Sequence, residues 1–338
     1  MKIMENYSLK SLNTFGLKVD AKYFAVVASL DEIKQAGKFA DKKAVSLMVL
    51  GGGSNVLFRG DFPGLIVRNN LKGISVIDET DDYVFVKVMG GEVWDDFVSF
   101  CVGKGWGGVE NLSLIPGSVG ASPIQNIGAY GVELKDGFFE LEAWFWKTSE
   151  MKIFSKNECE FGYRSSIFKK KLKGEVIITS VTIRLDKNPR LKTGYGAIKN
   201  ELEGIINREI GVRDVRNVII NIRRSKLPDP VELGNAGSFF KNPVVSSAKI
   251  SKLKTEFPEI VSYQQADGSY KLAAGWLIDK CGWKGKRAGD AGVHTEQALV
   301  LVNYGEATGN DILNLAKEIQ KSVFEKFGVK LNMEVNVV

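Results

Sequence analysis

Ser238 stands in the stretch "NAGSFFKNP" (235–243), with a glycine before it, two phenylalanines after it, amides at Asn235 and Asn242 and a cation at Lys241. A serine nucleophile needs a base within hydrogen-bond reach, and the usual base is histidine. The chain holds one histidine, His294, and no Gly-x-Ser-x-Gly elbow surrounds Ser238. A serine/lysine hydrolase using Lys226 or Lys241 stays open, and so does a serine that caps a turn. Hydrolytic attack is the poorer match to these neighbours.

Two glycine-rich loops could hold an anion. "GGGSNVLF" (51–58) follows the apolar strand pattern "VSLMVL" (45–50), where a phosphate loop would sit. It lacks the Gly-Lys-Ser/Thr of a Walker loop and the third glycine of a dinucleotide fingerprint. What remains is a plain glycine turn or a nest. In a nest the backbone N–H groups of Gly51, Gly52 and Gly53 converge on an anion, and Ser54 and Asn55 add side-chain donors. The second loop, "IPGSVGASPIQNIGAYG" (115–131), carries four glycines with Ser118, Ser122, Gln125 and Asn126, yet is too apolar for a solvent linker. Its buried backbone groups must find partners. A large planar ligand with a pyrophosphate, gripped by both loops, accounts for the donors and the missing side-chain bulk. Flavin adenine dinucleotide (FAD) is that kind of ligand.

These loops need elements to hold them. The first third alternates strand and helix patterns: "KYFAVVA" (22–28), a helix opened by Ser29, then "VSLMVL" and "GLIVRN" (64–69), a small α/β unit. Strand patterns follow in "GISVIDE", "YVFVKVM", "FFELEAWFWK" (138–147) and "EVIITSVTIRL" (175–185), with one helix in "VWDDFVSFCVGKG". The breaker cluster "RRSKLPDPVELGNAG" (223–237) after a helix over 211–224 marks a domain boundary. A later helix opens with a capping box at Thr308 and Asp311, buries Ile312, Ala316, Ile319, Val323 and Phe327, and ends at Gly328. In "VKLNMEVNVV" (329–338) apolar and polar residues alternate, which predicts a strand with Glu334 on its polar face.

At 338 residues, 44% hydrophobic and 25% charged, the chain is sized for two or three soluble domains. Its 36 glycines against 8 prolines indicate backbone chemistry rather than disorder. The net charge of +6 is spread over interspersed signs, which suits a phosphate-bearing ligand as well as nucleic acid. Cys101, Cys159 and Cys281 are far apart, so neither a disulfide framework nor a metal site is expected. With no signal-type segment or membrane-length apolar run, the sequence reads as cytoplasmic.

"GGGSNVL", "IPGSVGASPIQNIGAYG", "FGYRSSIFK", "KLPDP" with "NAGSFFKNP", and the terminal "LNMEV" occur in the order and spacing of the UDP-N-acetylenolpyruvoylglucosamine reductase family. Nearly the whole chain resembles it, and a tyrosine-bearing insert at "TGYGAIKNEL" is similar to its type I subfamily. The resemblance implies an α+β fold with a vanillyl-alcohol-oxidase/PCMH-like, two-part FAD-binding region and a third, substrate domain. It divides the chain into a small α/β FAD subdomain over 1–75 and a β-rich FAD subdomain over 76–225, the latter with the insert near 191–202. A substrate-binding domain over 226–328 and a C-terminal strand over 329–338, packing back near the active site, complete it. It also implies noncovalent FAD, NADPH as co-substrate, and reduction of UDP-GlcNAc enolpyruvate to UDP-N-acetylmuramate by a monomer that binds neither nucleic acid nor membrane.

Carried over by motif, Arg164, Ser238 and Glu334 fall on the family's catalytic positions. Tyr195, Lys226, Asn242 and Gln297 fall on positions that contact the sugar nucleotide or NADPH phosphates, and Ser122, Gly128 and Tyr130 join residues 51–55 on the flavin side. Arg164 would grip the substrate carboxylate bidentately, and Ser238 would give a proton to the α-carbon, with Lys241 and the flanking amides as possible helpers. Against these stand the plainer readings: a loop-tying ion pair for Arg164, a turn cap for Ser238, an edge glutamate for Glu334. His294 reads as structural. Two rival functions stay open: another FAD oxidoreductase of the same fold acting on a different sugar or hydroxy acid, and a noncatalytic basic nucleotide- or nucleic-acid-binding protein.

Overall fold

The computed structural model describes residues 1–203 and 208–338. The chain folds as two compact units. The first comprises residues 1–7, 21–53 and 62–225, and the second residues 8–20, 54–61 and 226–338. Two short stretches expected within the first flavin subdomain, 8–20 and 54–61, therefore cluster with the C-terminal part of the chain.

In the first unit, strand Phe62–Asn69 lies between Asp20–Val27 and Leu47–Leu50 and pairs in parallel with both. Leu65, Ile66 and Val67 are all fully buried, the continuous apolar run that a parallel strand covered on both faces requires. The crossover helix Leu30–Lys43 starts where the Ser29 side chain accepts from the Glu32 amide, and it stops at Ala44, which has a left-handed backbone. Its Ile33, Ala36 and Ala40 lie on one face and pack against Tyr23, Ala25, Val27 and Val67.

A five-stranded antiparallel sheet follows, ordered Glu150–Ser155, Phe138–Phe145, Val176–Asp186, Tyr83–Met89, Ile74–Glu79. Val84, Val86 and Val88 alternate into its core, where helix Trp94–Gly103 brings Trp94, Phe97, Val98 and Cys101. Helices Gly196–Leu202 and Val212–Lys226 bury Ile198, Leu202, Val215, Ile219 and Ile222 together, with Tyr130 against them.

The second unit has an antiparallel sheet ordered Gly234–Ser238, Val300–Asn303, Ala291–Val293, Arg287–Ala288. Helix Gly309–Phe327 has the expected capping box, and its Ile312, Ala316, Ile319, Val323 and Phe327 are buried. The terminal segment departs from the single strand expected over 329–338. Val329, Leu331 and Val335 are buried and Lys330 and Asn332 exposed, so the alternation holds at these positions. The pairing is split, however. Phe240 bridges Met333, and only Asn336–Val337 forms a strand, parallel to Val56–Leu57. Partner change, not side-chain pattern, interrupts the ladder.

Candidate active site

The two glycine loops meet backbone to backbone in the first unit. A Cβ on Gly51 would lie 2.6 Å from the Ser118 Oγ, and one on Gly52 would lie 2.9 Å from the Gly117 Cα. Gly53 has φ +64°, a conformation glycine adopts without steric cost. The loops thus touch through bare backbone, a glycine cradle that any side chain at 51 or 52 would force apart. Ser54 and Asn55 continue the first loop as the start of a second-unit segment.

Ser122, Gln125 and Asn126 of the second loop hydrogen-bond within the protein. The buried Ser122 hydroxyl donates to the Val119 carbonyl at 2.7 Å, and the Gln125 Oε1 accepts from the Lys169 Nζ at 3.1 Å. Asn126 donates to the Glu133 Oε2 and the Gly162 carbonyl and accepts from the Lys135 amide. Each of these three side chains is thus held by the protein's own groups, as buried polar side chains in a packed loop are. Backbone without side chains at 51–53 is what close approach of a pyrophosphate needs, and on that ground these residues fit FAD.

Arg164 occupies a tight turn in which Gly162 and Ser165 exchange backbone hydrogen bonds at 2.9 and 3.2 Å. Its φ of +49° is left-handed, which costs an arginine of order 1 kcal/mol and persists only where neighbours enforce it. The guanidinium donates to the Gly128 carbonyl and lies over the Tyr163 ring at 5.3 Å. A Cβ on Gly128 would meet the Arg164 Nη1 at 2.9 Å, so Gly128 is bare where the guanidinium passes.

Tyr130 is also left-handed, with φ +49°. Its ring meets that of Tyr195 edge-on, centroids 5.5 Å apart, and Tyr195 is half-exposed at the start of helix Gly196–Leu202. Burial raises the Tyr130 phenol's pKa against the opposing pull of Arg223. Burial likewise lowers the pKa of Arg223, which Tyr130 and Asp95 oppose, and its Nε is buried without a hydrogen-bond partner. Asn111, fully buried, donates to the Tyr130 and Lys192 carbonyls at 3.0 and 2.9 Å. Neither residue stands out in the sequence, since Arg223 opens the charged run Arg223, Arg224 and Lys226, and Asn111 is a lone amide beside Leu112.

In the second unit Ser238 ends strand Gly234–Ser238, opposite Val300, after an irregularity between Asn235 and Ser238. Gly237 has φ +66° there, and the Asn235 Oδ1 accepts from its amide at 2.9 Å. Asn235 also donates to the Pro228 and Leu233 carbonyls, so this flanking amide shapes the bend that precedes Ser238. Phe239 and Phe240 anchor the far side in the core. The Glu334 amide donates to the Phe239 carbonyl at 2.8 Å and the Lys241 amide to the Asn332 carbonyl at 2.9 Å, which lays the terminal segment along the Ser238 stretch.

Asn242 and Gln297 come together at the first turn of helix Ala274–Lys280. The Asn242 Oδ1 accepts from the Ala274 amide at 2.9 Å, and a Cβ on Gly275 would stand 3.3 Å from the Gln297 Oε1. Lys226 is exposed at the end of helix Val212–Lys226. His294 accepts at Nδ1 from the Glu296 amide at 3.3 Å, and burial, opposed by Glu296, lowers its pKa. Cys101 and Cys159 are free and buried, with burial pushing the Cys159 thiol up to about 12. Among the described residues no cluster of three or more His, Cys, Asp or Glu could hold a metal ion, and no helix is long and apolar enough to cross a membrane.

Family models match at two places: an FAD binding domain over residues 21–151, and the C-terminal domain of UDP-N-acetylenolpyruvoylglucosamine reductase over residues 229–338. A UDP-N-acetylenolpyruvoylglucosamine reductase from Flavobacterium johnsoniae is 50% identical over 339 residues, covering 100% of both chains. The chain belongs to this reductase family. It is an enzyme with an FAD-binding domain, an oxidoreductase and a flavoprotein. The crystal structure of the reductase from Thermus caldophilus shares the fold at a TM-score of 0.69 and 23% identity, covering 99% of this chain and 98% of that one. A 6-hydroxy-D-nicotine oxidase from Arthrobacter nicotinovorans superposes with a TM-score of 0.51 at 12% identity, over 97% of this chain and 86% of the other. The fold class is therefore the α+β, PCMH-like class expected.

Proposed function

We propose that the chain reduces UDP-N-acetylglucosamine enolpyruvate to UDP-N-acetylmuramate with NADPH, in cytoplasmic peptidoglycan-precursor synthesis, acting as a monomer. The observation that carries this reading is the full-length identity to reductases of that name, with Ser238 and Glu334 on adjoining segments of one unit. Bound noncovalently in the glycine cradle, FAD supplies hydride transfer from NADPH to the enolpyruvyl β-carbon. Residues 51–55, with Ser122, Gly128 and Tyr130 in the second loop, hold it by backbone and by shape.

The chain's own residues handle charge and proton. Hydride addition at the β-carbon leaves negative charge on the α-carbon and its carboxylate. Arg164 grips that carboxylate with its planar fork. Ser238 gives its hydroxyl proton to the α-carbon, closing the C–H bond in the substrate half-reaction, after NADPH has been oxidised to NADP⁺ in the first, and solvent returns the proton to the serine. Glu334 assists this relay from the neighbouring segment. Tyr195, Lys226, Asn242 and Gln297 hold the sugar nucleotide or NADPH phosphates, Asn242 and Gln297 from beside the first turn of helix Ala274–Lys280.

Stopped-flow absorbance on Ser238→Ala separates the half-reactions. Bleaching of the flavin by NADPH should stay nearly intact, whereas reoxidation by the enolpyruvyl substrate should slow by about 10² to 10⁴, the range of a lost general acid. Equal slowing of both halves would make Ser238 a positioning residue, and no slowing of either would leave it a turn cap.

A further inference from the structure

The turn that carries Arg164 is held at both ends by residues 124–126. On one side the Asn126 Nδ2 donates to the Gly162 carbonyl at 3.2 Å. On the other the Ser166 hydroxyl donates to the Ile124 carbonyl at 2.7 Å. Asn126 and Ser166 are both 0% exposed, so the donor of each bond is shielded from water, while the accepting carbonyls lie on half-buried residues. Between them the Lys169 Nζ reaches the Gln125 Oε1, and the three consecutive residues 124, 125 and 126 each fasten one point of the segment 162–169.

This clamp has a visible task. Arg164 is left-handed, and its guanidinium donates to the Gly128 carbonyl, in the same loop as Asn126. An arginine left to itself would relax to a right-handed or extended backbone, which would swing the guanidinium off that line. Asn126 pins the carbonyl two residues before Arg164, and Ser166 pins the chain two residues after it. Asn126 is itself left-handed, with φ +46°, and its amide is further fixed by the Lys135 amide at 3.0 Å and the Glu133 carboxylate at 3.1 Å. A flexible loop would not need so many bonds on one buried amide.

We propose that Asn126 and Ser166 are positioning residues that keep the Arg164 turn left-handed and so aim the guanidinium at the carboxylate of the substrate. The inference rests on the reading of Arg164 as the carboxylate-binding group.

The test uses the FAD-loaded enzyme, reduced with dithionite under anaerobic conditions and mixed with the enolpyruvyl substrate, in Asn126→Ala, Ser166→Ala, Arg164→Ala and the pairwise combinations with Arg164→Ala. Each positioning variant should retain its flavin and lose roughly 10- to 100-fold in the reoxidation rate at saturating substrate, the penalty of a guanidinium misplaced by about an ångström. Ser166→Thr, which keeps the hydroxyl, should recover most of that loss. In the Arg164→Ala background the same substitutions should change the rate by less than about two-fold, because they act through a group already removed. Flavin-loaded single variants that reoxidise at the parental rate would overturn the proposal, as would losses that persist in full without Arg164. If Asn126→Ala does not fold, Ser166→Ala and its threonine rescue decide the matter alone. Should Arg164→Ala itself reoxidise at the parental rate, the reading of Arg164 falls, and the positioning role falls with it; an impaired Arg164→Ala beside normal Asn126 and Ser166 variants sinks the positioning role only.

Discussion

The backbone N–H of Glu334 donates to the carbonyl of Phe239 at 2.8 Å, which sets Glu334 alongside the residue that follows Ser238. The bond belongs to a short ladder, since the Lys241 amide also reaches the Asn332 carbonyl and Phe240 bridges Met333. With Phe239 and Phe240 buried to 0% and 1% exposure, the Ser238 side of that ladder is anchored in the core. This backbone ladder fixes where Glu334 sits relative to Ser238.

Replacing Arg164 with lysine keeps a positive charge and discards the planar fork that binds a carboxylate bidentately. Turnover should fall by about 10² to 10³, comparable to removing one transition-state donor. Steady-state assays with the enolpyruvyl substrate check it, and near-parental turnover would reduce Arg164 to a loop-tying residue.

Gly52→Val would drive a branched side chain into the Gly117 backbone, which stands 2.9 Å from the position of a bare Cβ. The two loops must then part. Flavin affinity should weaken by at least about ten-fold, on the order of 1.4 kcal/mol. Equilibrium dialysis of the visible flavin absorbance reads the change directly, and full retention would move the cofactor away from this cradle.

Acid should loosen the first unit at Asp95. Burial raises the pKa of its carboxyl, but the Arg216 hydrogen bonds, the Leu114 amide and the Arg216 and Arg223 charges outweigh it, leaving a net lowering. Arg216 meets the carboxylate at 2.7 and 3.0 Å, one contact to each oxygen. A carboxyl depressed in the folded state contributes stability above its unfolded pKa of about 3.9 and loses it as pH falls through the folded value. Asp95→Asn should accordingly lower the unfolding free energy at neutral pH by about 1.5 to 3 kcal/mol, with the gap to the parent closing as pH falls below about 4. Denaturant melts across pH test it; a gap that persists at the lowest pH would assign the loss to packing.

Thr308→Ala removes the cap at the start of helix Gly309–Phe327, where the Thr308 hydroxyl accepts from the Asp311 amide at 3.2 Å and the Asp311 carboxylate accepts from the Thr308 amide at 2.8 Å. The loss should be about 0.5 to 2 kcal/mol, seen as a lower thermal midpoint without change in flavin content. A larger loss, or loss of flavin, would mean the cap does more than close the helix end.

The sequence alone determined the elements and the family. Alternating Val84, Val86 and Val88, the apolar run through Leu65, Ile66 and Val67, and the Thr308–Asp311 capping box are local patterns whose periods follow from backbone geometry. The motifs that carry the family resemblance are likewise contiguous strings. Tertiary structure decided which partner each polar group takes. The same asparagine type serves a bend at Asn235, a helix start at Asn242 and a clamp on the Arg164 turn at Asn126, and no local signal distinguishes the three. It also split the terminal strand between Phe240 and Val56–Leu57, where the alternation foretold one continuous ladder. The physical reason is that periodicity encodes which face a residue turns to the core, whereas a hydrogen-bond partner distant in sequence is chosen only when folding brings a donor and an acceptor within about 3 Å of each other.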